Sequence, residues 1–139
     1  MTSDLPEWPP GTPAVLSTAG GAPHAIPVST AVRAGPRRLL LALALRRRSL
    51  ELLRAQPRVA LTILAGGDVA VTAHGRAAVV ADPMRTSDGV AAIALDVDEL
   101  QDHGRPTFVI EEGVRWRWVD ADAKRADAAV RAELLELAS

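Results

Sequence analysis

The sequence of 139 residues contains no cysteine. A disulfide framework, a thiolate nucleophile and a cysteine-bound zinc or iron–sulfur centre are therefore excluded. No apolar run approaches the roughly 18 residues that a membrane-spanning helix needs. The opening segment, Met1 to Pro13, is acidic and rich in proline, and it lacks the basic and then apolar order of a signal peptide. We expect a cytoplasmic protein without a membrane partner.

Aromatic residues are also scarce, at 3% of the chain, so the core must be built from alanine, valine, leucine and isoleucine. Lys124 is the single lysine, which confines Schiff-base chemistry to that position. The 16 basic and 17 acidic residues leave a net charge of -1, and nucleic acid is therefore a poor candidate for a partner. The remaining composition and the length are those of one globular domain.

From Pro13 onward, short apolar and β-branched segments alternate with turn residues, which is typical of strands joined by hairpins. Gly20–Pro23 and Gly66–Asp68 read as turns, and Gly75 as a bulge within a long strand. The continuous apolar run Leu39–Leu45 indicates a strand that is covered on both faces. The pattern predicts a mainly β fold, a small antiparallel barrel of six or seven strands with Greek-key closure. The predicted strands are Ala14–Thr18, His24–Val32, Leu39–Leu45, Arg58–Leu64, Val69–Ala81, Val90–Val97 and Thr107–Val119.

Two helices are predicted as well. A short one follows the third strand, with Ser49 as its N-cap and Pro57 at its end. A second one closes the chain over 121–138, capped by Asp120 or Asp122. We expect residues 1–12 to form a flexible segment and residues 13–139 to form one domain. The apolar stripe of the closing helix consists of Ala123, Ala126, Val130, Leu134 and Leu137.

Motifs for hydrolysis and metal binding are missing. No Gly-x-Ser-x-Gly sequence occurs, and His24, His74 and His103 do not share the spacing of metal ligands. The adjacent carboxylates Glu111 and Glu112 would point to opposite faces of a strand, so they do not form a catalytic pair. We therefore predict no metal site and name no catalytic residue.

The segment Arg46-Arg47-Arg48-Ser49 lies where a buried strand meets the start of a helix. Guanidinium groups, a hydroxyl and free helical N–H groups converge there, and together they can hold a phosphate. The alternative is a basic turn that is simply solvated.

Trp116 and Trp118 alternate with Arg115 and Arg117, which places both indoles on one face of the last predicted strand. The indoles could close the barrel end, line a dimer interface or flank a planar ligand. A basic and aromatic strip for nucleic acid is a further alternative, although the net charge does not favour it.

Four segments in this order resemble the pyridoxamine 5′-phosphate oxidase-like superfamily of flavin- and deazaflavin-binding split β-barrels. They are AVLST at 14–18, PHAIPVS at 23–29, SLELLRAQPRVAL at 49–61 and VTAHGRA at 71–77. The resemblance extends over roughly Pro13 to Val119. It implies a split barrel that forms a homodimer, with FMN or, in some branches, coenzyme F420 bound in grooves between the subunits.

The resemblance also nominates residues. The start of the short helix would bind the cofactor phosphate, which here means Arg47, Arg48 and Ser49 with Arg46 nearby. The segment after Pro27 would run along the ring system, largely through backbone groups, and the partner's closing segment would cover the site. The residues nominated to contact the ring system are Val28, Ser29 and Thr30. The residues nominated to cover the partner's site are Trp118 and also Trp116.

The chain departs from this family at two places. Many members carry a lysine where Ser49 stands, so phosphate binding would depend on arginines alone. Pyridoxamine phosphate oxidases proper end in a substrate-binding segment with arginine and tryptophan, whereas this chain ends in an alanine-rich helix. Pyridoxamine phosphate is therefore disfavoured as the substrate.

Three hypotheses about function follow. The first is a dimeric oxidoreductase that uses FMN or F420 to transfer a hydride to or from a small substrate. The second is a non-catalytic protein of the same fold that binds a flavin, F420 or haem. The third is a small barrel that binds nucleic acid, which would show a steep salt dependence.

Overall fold

The structure is a computed structural model that describes residues 3–139. Seven strands and two helices lie within these residues. Neither of the two helices is long and apolar enough to cross a lipid bilayer. The strands are β1 (Ala14–Thr18), β2 (His24–Val28), β3 (Val32–Gly35), β4 (Arg38–Ala44), β5 (Arg58–Ala65), β6 (Val69–Ala81) and β7 (Val90–Asp102), and the helices are α1 (Arg48–Ala55) and α2 (Ala121–Ala138).

All seven strands form one antiparallel sheet in the order β2-β1-β5-β6-β7-β4-β3. The two edge strands, β2 and β3, are joined only by residues 29–31, which we call the crossover. In a flat sheet these edges would lie about 29 Å apart, whereas the crossover can span at most about 15 Å. The sheet must therefore curl until β2 meets β4, which it contacts directly. The predicted mainly β split-barrel fold is confirmed.

The interior of the barrel is aliphatic, as the low aromatic content predicts. Strand β4 is buried on both faces: Leu39 and Leu41 point into the barrel, while Leu40 packs with Val130 and Leu134 of α2. The prediction for the apolar run beginning at Leu39 is therefore confirmed. The largest fully buried side chains of the barrel interior are Leu16, Leu39, Leu41, Leu53, Leu61, Ile63, Ile93 and Leu95.

The register of β6 and β7 shifts between His74 and Gly75, which confirms the predicted bulge. A Cβ atom on Gly75 would lie 1.9 Å from the carbonyl oxygen of Asp96. Because no side chain tolerates that distance, only glycine lets the two strands approach here.

The predicted strand His24–Val32 is divided in the structure. The chain leaves the sheet after Val28 and re-enters it at Val32 on the opposite edge. The alternation of apolar residues continues through both parts, so the sequence pattern did not reveal the break. As a result, the short helix α1 follows the fourth strand of the structure and not the third.

The predicted final strand Thr107–Val119 is wrong. These residues, all within the described part of the chain, form no strand and cross the end of the β5–β6 hairpin. Single hydrogen bonds hold them there, for example from the Asp68 N–H to the Ile110 carbonyl at 3.2 Å. The alternation of tryptophan and arginine predicted one buried face, but residues 114–119 are all exposed. The segment has the alternating pattern of a strand, but no neighbouring strand pairs with it.

The opening segment, predicted to be flexible over residues 1–12, is tied to the barrel in its described part. Leu5 is buried, and its N–H donates to the Pro36 carbonyl at 2.7 Å. The Trp8 indole N–H donates to the Ala31 carbonyl at 2.9 Å, and its ring packs against the barrel core. Residues 1 and 2 of that prediction lie outside the described residues.

Helix α2 covers the outer side of β3 and β4. Its N-cap is Asp120, whose Oδ1 accepts a hydrogen bond from the Ala123 N–H at 2.9 Å. Of the two caps predicted from the sequence, Asp120 is therefore confirmed. The predicted stripe is only partly correct, because Val130 and Leu134 are buried whereas Ala126 and Leu137 are exposed. The buried face of the helix is rotated toward Glu133, a charged residue that no apolar pattern includes.

Glu133 fastens α2 to the loop between β6 and β7. Its carboxylate is 5% exposed and accepts hydrogen bonds from the backbone N–H groups of Arg85 at 2.9 Å and Thr86 at 2.7 Å. Burial disfavours the charged form, but these bonds outweigh that effect and hold the pKa of Glu133 below its ordinary value of 4.5. The carboxylate therefore stabilises the folded state in its ionised form.

We expect Glu133→Ala to lower the free energy of unfolding by about 2 kcal/mol at pH 7, since two backbone donors lose a charged acceptor. The folded-state pKa is lowered, so this contribution is complete above the ordinary value of 4.5 and is lost as pH falls through the folded-state pKa. Urea unfolding of both proteins from pH 7 to pH 3 measures the difference.

The control is Glu136→Ala. That carboxylate pairs with Arg85 at 2.6 Å on the surface, with both side chains about two-thirds exposed. We expect a loss of at most about 0.5 kcal/mol, as is usual for a solvated ion pair. A Glu133→Ala difference that does not shrink toward low pH would contradict the role given to the carboxylate.

Candidate functional site

The crossover borders a groove of about 200 Å³. One wall consists of Pro27 to Thr30, and the opposite wall consists of Ala42 to Ala44 at the end of β4. The guanidinium-bearing Arg47, just before α1, completes the lining. The fold thus brings together the residues nominated for the ring system and one residue nominated for the phosphate. These are Val28, Ser29 and Thr30 for the ring system and Arg47 for the phosphate.

Thr30 fixes the crossover to β4. Its Oγ1 accepts from the Ala42 N–H at 2.9 Å. Strand β3 pairs with β4 only as far as Leu40, so this hydroxyl replaces the next backbone partner of β4. The hydroxyl therefore holds the crossover against β4 and is itself engaged.

A second groove of about 350 Å³ shares Pro27, Val28 and Ser29 with the first. It is lined further by Pro13, Val114 and Trp116. The Trp116 indole N–H donates to the Gly11 carbonyl at 2.9 Å, which directs the ring against the opening segment. The two grooves are therefore neighbours that share three lining residues, with Arg47 in one and an indole in the other.

Trp118 lines neither groove. It packs edge-on against Trp116, with ring centroids 5.2 Å apart and an interplanar angle of 76°. Trp116 is 42% exposed and Trp118 is 37% exposed. Trp116 thus lines the second groove within its own chain, while the assignment of Trp118 to cover a site in the partner stays a prediction.

Three adjacent arginines precede or begin α1, namely Arg46, Arg47 and Arg48, and all are exposed. Within residues 3–139, none of their guanidinium groups has an ion-pair or hydrogen-bond partner. Only Arg47 lines the groove, so the structure separates it from its two neighbours. Unpaired guanidinium groups on a helix start are available to an anion.

Ser49 is not the N-cap of α1, in contrast to the prediction. The N-cap is Arg47, without a side-chain cap, and Ser49 is the second helical residue, with 0% exposure. Its hydroxyl lies 3.1 Å from Nε2 of His24, at the start of β2. The hydroxyl thus joins α1 to β2, and its predicted contact with a phosphate has no support from its position.

A family model described as pyridoxamine 5′-phosphate oxidase matches residues 7–112, about three quarters of the chain. The chain belongs to this family. No curated protein matches it. Helix α2 lies outside the matched residues.

Solved structures share the fold at low identity. An FAD-binding protein from Mesorhizobium loti is 15% identical, with a TM-score of 0.52 over 64% of this chain and 81% of that one. An F420 reductase is 13% identical, with a TM-score of 0.57 over 66% and 90%. The flavin reductase component of a bacterial two-component tryptophan halogenase is 11% identical, with a TM-score of 0.56 over 68% and 81%. These identities show a common fold alone.

The residues present fit a phosphate-bearing planar cofactor. The unpaired Arg47 supplies a cation in the first groove, and the second groove is mainly apolar, with the flat surface of Trp116 in its lining. Together the two grooves reach the size of ordinary small-molecule sites, roughly 300 to 1,000 Å³. No histidine, lysine or carboxylate side chain lines either groove within residues 3–139.

Sequence reasoning missed part of the lining. Pro13 and Val114 are brought in by tertiary contacts that no local pattern marks. Ala42 and Ala44 did leave a signal, because they are the small residues in an otherwise leucine-rich run. Small side chains at alternate positions of a buried strand leave space beside one of its faces.

We expect Thr30→Val to lower the free energy of unfolding by about 1 to 2 kcal/mol, because the Ala42 N–H loses its acceptor. Thr30→Ser, which keeps the hydroxyl, should remain within about 0.5 kcal/mol of the parent protein. Urea unfolding monitored by circular dichroism measures both. Equal losses in the two variants would show that the methyl group matters and not the hydrogen bond.

Proposed function

We propose that this protein is a homodimeric oxidoreductase in which a bound flavin or deazaflavin transfers a hydride to or from a small molecule. The observation that supports it best is the position of the unpaired Arg47 beside the groove formed by Val28, Ser29 and Thr30. This arrangement occurs in a chain of the pyridoxamine 5′-phosphate oxidase family. FMN is the preferred cofactor, and F420 is the alternative.

The protein's own residues hold and orient the cofactor. Arg47 binds its phosphate through charge-assisted hydrogen bonds, with Arg46 and Arg48 raising the positive potential nearby. The backbone of Val28 and Ser29 lies along the ring system, and Trp116 shields it from water. The cofactor supplies the hydride chemistry when bound, and the grooves offer no protein side chain to act as general acid or base.

The proposed homodimer rests on an exposed apolar surface. The segment that crosses the β5–β6 hairpin carries several large apolar side chains that no other described residue buries. Large apolar side chains exposed along one segment mark an interaction surface, and we assign it to a second copy of the chain. A cytoplasmic location, expected from the sequence, is part of the same proposal. The exposed side chains of the segment are Phe108, Val109, Val114, Trp116, Trp118 and Val119.

A second candidate function is a non-catalytic protein that binds a flavin, F420 or haem in the same grooves. The lining of the grooves favours this alternative, because among residues 3–139 it contains no histidine, lysine or carboxylate that could act as a general acid or base. A protein that only binds the cofactor needs no such side chain. Oxidation of reduced nicotinamide or reduced F420 by the loaded protein separates the two functions.

We expect Arg47→Ala to weaken FMN binding at least about tenfold, since a charge-assisted hydrogen bond contributes roughly 1.5 to 3 kcal/mol. Quenching of flavin fluorescence gives the dissociation constants, and F420 is titrated in the same way. Arg48→Ala should have a smaller effect, because Arg48 does not line the groove.

Arg76→Ala is the matched control, since Arg76 is an exposed arginine on β6 away from both grooves. It should bind FMN as the parent protein does. If Arg47→Ala binds as tightly as the control, the phosphate assignment is wrong. If the parent protein binds neither FMN nor F420, the proposed function is wrong.

We expect the parent protein to sediment as a dimer and Val109→Asp to raise the dimer dissociation constant at least about 100-fold. Val109 is 63% exposed, and a carboxylate there would be buried without a partner in the dimer. Analytical ultracentrifugation over a range of concentrations measures both. Leu137→Asp, at an exposed position on α2, should remain dimeric, and a monomeric parent protein would contradict the assignment of this surface.

A further inference from the structure

A separate cavity of about 390 Å³ lies between α2, β3 and the opening segment. It shares no lining residue with the two grooves of the candidate site. Its α2 wall belongs to the helix beyond residues 7–112, the part matched by the family model. One wall of the cavity therefore comes from a part of the chain that the family model does not describe.

The walls of the cavity are apolar and held in place. Ala128 and Ala132 are one helical turn apart on α2, and their short side chains leave the space open. Trp8 forms the opposite wall, where its indole N–H is engaged by the Ala31 carbonyl at 2.9 Å and its ring packs on the barrel core. A ligand in the cavity would meet carbon surfaces from three directions.

Two arginines, Arg33 and Arg131, also line the cavity, and no acidic residue does. Arg33 donates from Nε to the Leu5 carbonyl at 3.0 Å, and Arg131 donates from Nε to Oδ2 of Asp127 at 2.8 Å. These bonds fix both side chains and leave the terminal amino groups of each guanidinium unpartnered within residues 3–139. Both arginines line the cavity, and the fork of a guanidinium group matches the two oxygens of a carboxylate.

We propose that this cavity binds an amphipathic carboxylate, that is, a small molecule with an apolar chain or ring and one carboxyl group. The apolar part lies between Trp8 and the alanines of α2, and the carboxylate pairs with Arg131 and Arg33. The size of the cavity is that of small-ligand sites, which are mostly apolar with a few converging polar groups. Binding at this site is independent of the flavin grooves.

The experiment is isothermal titration calorimetry of the full chain with sodium octanoate and, separately, with octan-1-ol. We expect saturable binding of octanoate with a dissociation constant on the order of 0.1 mM, as suits a ligand of this size. Arg131→Gln should weaken octanoate binding about tenfold and leave octan-1-ol binding nearly unchanged, because only the charged head group loses a partner.

Ala132→Phe tests the location, since the added ring fills the cavity and should abolish binding of both probes. Ala126→Phe is the control, because Ala126 is exposed on α2 and does not line the cavity. It should bind octanoate as the parent protein does. The proposal is overturned if octanoate does not bind saturably, if Ala132→Phe binds it unchanged, or if Arg131→Gln weakens both probes equally.

Discussion

The shape of this protein depends on a short piece of backbone, the crossover of residues 29–31, which must join the two edges of a seven-stranded sheet. That length forbids a flat sheet and closes the barrel. Closure also brings the crossover against the end of β4, where Thr30 satisfies a backbone donor that no strand can reach. The groove beside Val28 and Ser29 is the space left by this incomplete closure, so the candidate site follows from the same constraint as the fold.

The charged residues at the start of α1 and on α2 lie on opposite sides of β4. The three arginines at the start of α1 lie directly after β4, the strand that forms one wall of the groove. Of these three arginines, only Arg47 lies where it lines the groove. Glu133 lies on the other side of β4, where its carboxylate anchors α2 by accepting hydrogen bonds from backbone N–H groups. Strand β4 thus separates a surface that is available to an anion from a surface that is sealed by a helix.

Much of the architecture could be predicted from local patterns. Alternation and turn residues located β1, β5 and β6 closely, and the leucine run of β4 showed that it is covered on both faces. The break between β2 and β3 at Ser29 could not be predicted, because the alternation of apolar residues continues unchanged through the crossover. The segment 107–119 shows the opposite case, since it has the alternation of a strand but no neighbouring strand to pair with. At the site, residue types indicated the chemistry of Arg47, but only tertiary contacts could reveal that Ser49 turns inward to His24 and that Pro13 and Val114 lie beside Ser29.

The sheet order also has a kinetic meaning. Four pairs of consecutive strands, β1–β2, β3–β4, β5–β6 and β6–β7, lie side by side in the sheet, but β1 pairs with β5 and β4 pairs with β7 across about 50 residues of chain each. Closing loops of that length costs entropy before any long-range contact can compensate for it. The chain therefore belongs among slowly folding topologies, in which the hairpins form early and barrel closure comes last. During that interval the apolar faces of the hairpins are exposed to other molecules, and the rate of closure sets how long newly made chains are open to aggregation.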